Sequence, residues 1–409
     1  MAKLRLQDLS VKGKKVLMRV DFNVPQDDQG KITDDSRILA ALPSIHYVLE
    51  HGGSLVLMSH LGRPNGQKNE KYSLAPVAKR LSELLKKHVL MAPDCTGIEV
   101  QRLAHGLKPQ EILLLENLRF YEAEENPEKD PSFITQLASL GDLYVNDAFG
   151  TAHRAHASTA LIAQEFPGKA AAGLLMQKEI KFLGDTLLNP KRPFYAIIGG
   201  AKISSKLGVL KSLLKKVDGL LIGGGMAYTF FKAQGLKIGK SICEDNLLNT
   251  AKEILEECSA KQIKLLLPVD LVVASEFKND SPSQIIDIIN GVPDSFEGMD
   301  IGPKTVESFN YFLKDAATIL WNGPLGVAEM PNFAKGTQEI AKTLAHSQAV
   351  TIVGGGDSIA ALQATGLSDQ IDHVSTGGGA SLEYLEYGKL PGVEALSDSI
   401  ETVKTNLFS

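Results

Sequence analysis

Arg37, Arg63, Arg119 and Arg154 fall in or near loops of the first half of the chain. Each alone reads equally well as a solvated surface arginine. Converging, their planar forks would need a strongly anionic ligand, carboxylate or phosphate. Three of them stand close to turns that follow apolar runs, and His60 shares one of these turns, Ser59-His60-Leu61-Gly62-Arg63-Pro64. Asp21 and Asn23 follow an earlier run and could orient a substrate hydroxyl by accepting and donating hydrogen bonds.

The second half carries a different chemistry. Its apolar runs lead into Gly199-Gly200-Ala201-Lys202, Gly223-Gly224-Gly225, Asn322-Gly323-Pro324, Gly354-Gly355-Gly356-Asp357-Ser358 and, later, Gly377-Gly378-Gly379. Glycines let backbone approach a ligand, and amides at the start of a following helix favour phosphate. One triplet is also just a tight turn; three after apolar runs in one half point to a nucleotide. Lys202 and Lys206 are four residues apart, so on a helix they share a face and repel unless an anion lies beside them. Two solvated lysines are the alternative. Asp357 either caps its helix or, beside a nucleotide, holds Mg²⁺. Glu329 either accepts ribose hydroxyls or is an ordinary surface acid.

The usual fingerprints are missing. Gly235-Leu236-Lys237-Ile238-Gly239-Lys240-Ser241 is one residue short of a P-loop and reads as a loop, and Gly223-Gly224-Gly225-Met226-Ala227-Tyr228 breaks the dinucleotide pattern at its last position. His153 and His156 have helical metal spacing but no evident third ligand.

The elements that must position these residues alternate apolar runs with helical periodicity, which argues for parallel α/β layers. The runs cover 16–20, 55–58, 112–115 and 143–145, then 195–198, 220–222, 265–267, 318–321 and 350–353. They are continuous, as in strands covered on both faces. Ligands in such sheets bind beyond the carboxyl ends of the strands. Charged ends in one half and glycine-rich ends in the other imply two domains with different ligands. Met176, Ile180, Leu183 and Leu187 predict one linking helix that Asn189-Pro190 ends, or an ordinary crossover helix. The 409 residues allow more than one domain, and 44% apolar content excludes wholesale disorder. A net charge of −5 argues against general nucleic-acid binding. No apolar stretch is long enough to span a membrane, and the first residues lack the apolar core of a signal peptide. Three cysteines without metal spacing make a reducing cytosol the default, so a cytoplasmic protein is expected.

Along essentially its whole length the sequence resembles the phosphoglycerate kinase family. The matching segments are Arg19-Val20-Asp21-Phe22-Asn23-Val24-Pro25, Ser59-His60-Leu61-Gly62-Arg63-Pro64, Glu116-Asn117-Leu118-Arg119-Phe120 and Asn146-Asp147-Ala148-Phe149-Gly150-Thr151-Ala152-His153-Arg154. They continue with Gly199-Gly200-Ala201-Lys202, Asp300-Ile301-Gly302-Pro303-Lys304-Thr305, Trp321-Asn322-Gly323-Pro324, Gly354-Gly355-Gly356-Asp357-Ser358 and Ser375-Thr376-Gly377-Gly378-Gly379-Ala380-Ser381.

The resemblance implies two Rossmann-like α/β lobes, each a parallel sheet flanked by helices, joined by an interdomain helix and hinge. The lobes would be 1–173, binding 3-phosphoglycerate, with 393–409 packing back on it, and 190–392, binding nucleotide, with 174–189 as the link. The implied reaction passes a phosphoryl group reversibly from 1,3-bisphosphoglycerate to MgADP, giving 3-phosphoglycerate and MgATP, in glycolysis and gluconeogenesis. Asp21 and Asn23 would contact the glycerate, with Arg37, His60, Arg63, Arg119 and Arg154 neutralising its anionic ends. Arg37, Lys202, Gly378 and Gly379 would surround the transferring group. Lys206, Gly200, Gly223, Gly298, Met299, Asn322, Glu329, Gly355, Gly356 and Ser358 would hold the nucleotide, and Asp357 its Mg²⁺. A monomer with no nucleic-acid or membrane partner and substrate-driven hinge closure is implied as well. Two other classes stand beside this one: a nicotinamide-dependent dehydrogenase, disfavoured by the missing fingerprint, and a non-catalytic binding protein, disfavoured by the intact Lys202 and Asp357.

Overall fold

The computed structural model describes residues 2–185 and 189–399. The chain divides into two compact units, Met1–Ile180 together with the segment from Lys389 onward, and Lys181–Gly388.

The first unit is built on a six-stranded sheet. Its strands are β1 (Lys15–Arg19), β2 (Ser54–Met58), β3 (Val89–Met91), β4 (Ile112–Leu114), β5 (Leu143–Asn146) and β6 (Ala170–Ala172). The order is β3-β4-β2-β1-β5-β6, all pairs parallel. Every residue of β2 is buried, because helices such as Ser36–Glu50 and Ala75–Leu85 supply the second apolar layer. Apolar spacing predicts the latter over 74–86; Leu74 is its cap and Lys86 ends it in the left-handed conformation. Near the chain's end, Ser397 accepts from Leu4 N–H at 2.7 Å and donates its own N–H to Ala170 at 2.9 Å. The rest of the expected tail, 400–409, lies outside the described residues.

The second unit holds β7 (Phe194–Ile198), β8 (Gly219–Ile222), β9 (Lys264–Leu266), β10 (Asp270–Ala274), β11 (Ser283–Asp287), β12 (Glu297–Ile301), β13 (Thr318–Asn322), β14 (Val350–Gly354) and β15 (His373–Val374). Six of them form a parallel sheet ordered β15-β14-β13-β7-β8-β9. The other three form an antiparallel sheet, β11-β10-β12, which the sequence pattern does not announce. Trp321 on β13 is fully buried in the core of this unit.

The linking helix expected over 174–188 forms as far as Asp185, but with two windings. An α-helix runs Leu174–Glu179, and a π-helical turn follows over Ile180–Asp185. Residues 186–188 lie outside the described residues. The apolar spacing of four, three and four suits both windings, so periodicity alone does not separate them.

Candidate functional site

Each parallel sheet has one place where the chain reverses its direction of travel, and open α/β sheets bind ligands there. In the first unit β1 leads to β2 on one side and its neighbour β5 leads to β6 on the other. The turns after these two strands carry Asp21, Asn23 and Arg154. Asp21, nearly buried, accepts from Arg37 Nη1 at 2.6 Å. Asn23 accepts from Gly62 N–H at 2.8 Å, which ties the β1 turn to the β2 turn carrying His60 and Arg63. Arg119 donates to the Gly62 carbonyl at 3.0 Å and pairs with Glu125 at 3.1 Å. Its Nε is buried and finds no hydrogen-bond partner among the described residues. Arg63 and Arg154 are exposed. The structure thus brings Asp21, Asn23, Arg37, His60 and Arg119 together by contact or common turn, and leaves two arginine side chains free to meet an anion.

The β4 turn braces this arrangement. Glu116 accepts from Ser73 Oγ at 2.7 Å and from Leu74 N–H at 2.8 Å, and Asn117 donates to the carbonyls of Leu61 and Tyr72 at 2.7 and 2.9 Å. A long loop is pinned at both ends by two adjacent side chains.

Beneath the turns lies a layer that the sequence pattern does not assign. Arg19, 1% exposed, donates Nε–H to Ser158 Oγ at 2.8 Å and stands 3.2 Å from His60 Nδ1. Ser158 in turn donates to the buried Glu124 at 2.6 Å. An arginine at the end of the otherwise apolar run Val16-Leu17-Met18 was the available signal, since charged groups are rarely buried unless paired. Burial holds His60 well below the ordinary histidine range, and Arg19, Arg119, Arg37 and His156 add to the effect. His60 is therefore neutral at pH 7, not one of the cations expected to neutralise a ligand. His153 sits in a turn and His156 in irregular chain rather than on a helix, and the arginines around His156 oppose a metal cation there.

His156 supplies a stability test. Burial first, then Arg119, Arg19 and Arg154, lower its pKa to about 3 from the ordinary 6.5. Between these values the unfolded chain binds a proton that the folded chain does not. The native ring's contribution is therefore complete above pH 6.5 and is lost as pH falls, at up to about 1.4 kcal/mol per pH unit. His156→Gln should cost stability at pH 7, and that deficit should shrink by about 2 kcal/mol at pH 5. Denaturant titrations followed by circular dichroism measure it; a deficit independent of pH would contradict the assignment.

In the second unit β7 leads to β8 on one side and its neighbour β13 leads to β14 on the other. The crevice is walled by backbone. Gly200 N–H donates to Pro324 O at 2.9 Å and Gly323 N–H to Ser358 Oγ at 2.5 Å. Gly223 ends β8 and donates to Ile198 O at 3.1 Å. Gly355, at φ +90°, caps the helix Gly356–Ala364, whose first turn presents the exposed Asp357. Gly378 caps the helix Gly379–Tyr387 in the same way. Lys206 donates to Asn322 Oδ1, which fixes the amide's orientation and leaves the buried Nδ2 with no partner among the described residues. Burial lowers the Lys206 pKa, partly offset by the Asp357 charge.

Two expectations change here. Lys202 and Lys206 do not share a helical face: they lie in a turn, and the helix begins at Leu207. Met299 is 1% exposed and packs with Ala274 and Phe333, so it offers the site β12 backbone rather than a side chain. Its neighbour Gly298 has no room for a Cβ beside the Tyr228 hydroxyl. Glu329 is exposed. The P-loop-like segment is a loop, and Ser241 at its end accepts from Gly298 N–H at 2.9 Å.

Residues 6–389 match the family model described as phosphoglycerate kinase. The chain belongs to the phosphoglycerate kinase family. Among curated relatives, a phosphoglycerate kinase of Chlorobium phaeobacteroides is 55% identical over 401 residues, covering 97% of this chain and 100% of its own. One of Moorella thermoacetica is 54% identical over 398 residues with the same coverage. The phosphoglycerate kinase structure from Coxiella burnetii superposes with a TM-score of 0.87 at 42% identity, covering 96% of this chain and 98% of its own. That from Pyrococcus horikoshii gives 0.82 at 36% identity with equal coverage. Family membership sets aside the dehydrogenase alternative. The family's reaction is reversible phosphoryl transfer between 1,3-bisphosphoglycerate and ADP.

Proposed function

We propose that the arginine-bearing crevice holds 3-phosphoglycerate and the glycine-walled crevice holds the nucleotide. The observation that carries this reading is the contrast between the two sheet reversals. One presents guanidinium groups with a buried Nε, the other backbone amides with a buried carboxamide Nδ2, and neither nitrogen has a partner among the described residues. Buried donors normally find acceptors, and anionic oxygens would satisfy both.

Asp21 and Asn23 contact the glycerate, and Arg37, Arg63, Arg119 and Arg154 balance its charge, while His60 takes part as a neutral group. Arg37, Lys202 and the Gly378 and Gly379 amides surround the phosphoryl group in transit. Lys206 and Asn322 bind nucleotide phosphate, with Gly200, Gly223, Gly298, Glu329, Gly355, Gly356 and Ser358 shaping the rest of the pocket. The attacking oxygen is already ionised, so no residue need act as base. In-line transfer requires the two ligands to meet, so substrate-driven domain closure belongs to the same reading, as does a monomeric, cytoplasmic enzyme.

Mg²⁺ fits the donor set. Asp357 is a lone exposed carboxylate in a helix's first turn, and a single carboxylate beside phosphate oxygens is a common magnesium arrangement. Bound with the nucleotide, the ion would neutralise phosphate charge. Asp357→Ala should raise the apparent KM for MgATP at least about tenfold and lower turnover in a coupled assay with 3-phosphoglycerate. Parental kinetics in that variant would remove Asp357 from the site.

A further inference from the structure

Glu124 is a buried carboxylate that the transfer itself does not use. It lies in the short helix Glu122–Glu125 and is fully buried. One residue takes both its oxygens: Oε1 accepts from the Ser158 hydroxyl at 2.6 Å and Oε2 from the Ser158 N–H at 3.1 Å. The same hydroxyl accepts from Arg19 Nε at 2.8 Å. Arg19 Nη1 donates to the Val20 carbonyl. Arg19 Nη2 is 4.0 Å from Glu124 Oε1 and 3.2 Å from His60 Nδ1.

A guanidinium has donors only. His60 Nδ1 must therefore accept, and the proton of the neutral ring must sit on Nε2. A doubly protonated ring would set two donors face to face. The groups that bear on His60 are Arg19 from β1, Arg37 from the helix Ser36–Glu50, Arg119, and His156. All favour an uncharged ring. Glu124 is the carboxylate that balances Arg19, since a buried cation left without its partner is strongly unfavourable.

We propose that Glu124 is a positioning residue for the glycerate site: acting through Ser158 and Arg19, it fixes His60 in the Nε2–H tautomer, a neutral hydrogen-bond donor to the ligand. This rests on the reading that His60 lines that site. A ring held so keeps its role unchanged across the pH range in which an ordinary histidine switches charge.

The full-length protein, labelled with ¹⁵N-histidine, tests this by long-range ¹H–¹⁵N spectra, with His60 assigned from His60→Gln. The parent should show one Nε2–H tautomer throughout about pH 6–8, and its ring signals should move on adding 3-phosphoglycerate. Glu124→Gln keeps the shape and removes the charge. It should give mixed tautomers and raise the KM for 3-phosphoglycerate about tenfold or more, as for a lost charge-assisted hydrogen bond, with the KM for ATP unchanged. If that variant does not fold, Ser158→Ala, which deletes the bridging hydroxyl, carries the same expectation. An Nδ1–H or doubly protonated ring in the parent overturns the proposal, as does a variant with parental tautomer and KM. If Glu124→Gln shifts the tautomer but 3-phosphoglycerate leaves the parent's ring signals unmoved, the placement of His60 in the glycerate site fails and the control of its tautomer stands.

Discussion

Lys202→Ala should lower kcat by about 10²–10³-fold, with little change in the KM for ADP and none in folding. The magnitude is that of losing one preorganised donor aimed at charge in the transition state. Phosphoryl transfer offers little covalent work for a protein, so positioning and charge neutralisation carry most of the acceleration. The variant is also clean. Lys202 is exposed, in a turn after β7, and exposed substitutions of this kind usually change stability by less than about 0.5 kcal/mol. The turn is held by other groups: Glu244 accepts from Ser204 N–H at 3.0 Å. Burial pushes the Glu244 pKa up, yet the Ser204 and Ile203 contacts and the Lys202 charge bring it below the ordinary value. Removing the ammonium therefore leaves the turn anchored. Turnover measured in both directions, with unfolding curves alongside, decides the matter. A kcat within tenfold of the parent would take Lys202 out of the transfer step.

How much of this could be read from the sequence depends on where each determinant lies. All nine apolar runs named from the sequence fall on strands, because a strand covered on both faces is apolar along most of its length. β6 escaped notice because Ala170-Ala171-Ala172 carries no β-branched signal, and β15 because it is two residues long. β11 is mostly exposed, so it lacks the apolar content that marked the others. The lysine turn misleads for a different reason. Four-residue spacing suggests a helix, but Ser204 and Ser205 favour local side-chain to backbone bonds, Ser205 Oγ donates to Lys202 O at 2.8 Å, and Glu244 reaches in from 40 positions away. Long-range partners also hid the Arg19–Ser158–Glu124 chain: its members are 139 and 34 positions apart. The candidate site residues could be named mostly from the turns after apolar runs; the residues that orient them come from distant positions and could not.

The backbone walls of the second unit allow the other large prediction. Gly323→Ala should destabilise that unit by about 3 kcal/mol or more and weaken nucleotide binding with it. Gly323 sits at φ +102°, a conformation side chains rarely adopt, and a Cβ there would overlap the Gly199 carbonyl. That carbonyl cannot swing aside. Gly199 N–H is bonded to Asn322 O at 3.0 Å and Gly200 N–H to Pro324 O at 2.9 Å, so the turns after β7 and β13 interlock. Gly366 separates the two causes. It has φ +71°, but a methyl group there would meet nothing within 4 Å, so Gly366→Ala bears only the conformational cost, about 1–2 kcal/mol. The readout is built in. Trp321 is the sole tryptophan of the chain, is buried in this unit, and donates its Nε1–H to Gly323 O at 2.8 Å. Its fluorescence during guanidinium unfolding reports the stability of the unit in question. A much larger loss for Gly323→Ala than for Gly366→Ala would show that close approach of the two turns, not backbone angle alone, demands glycine at this crevice; equal losses would show the reverse.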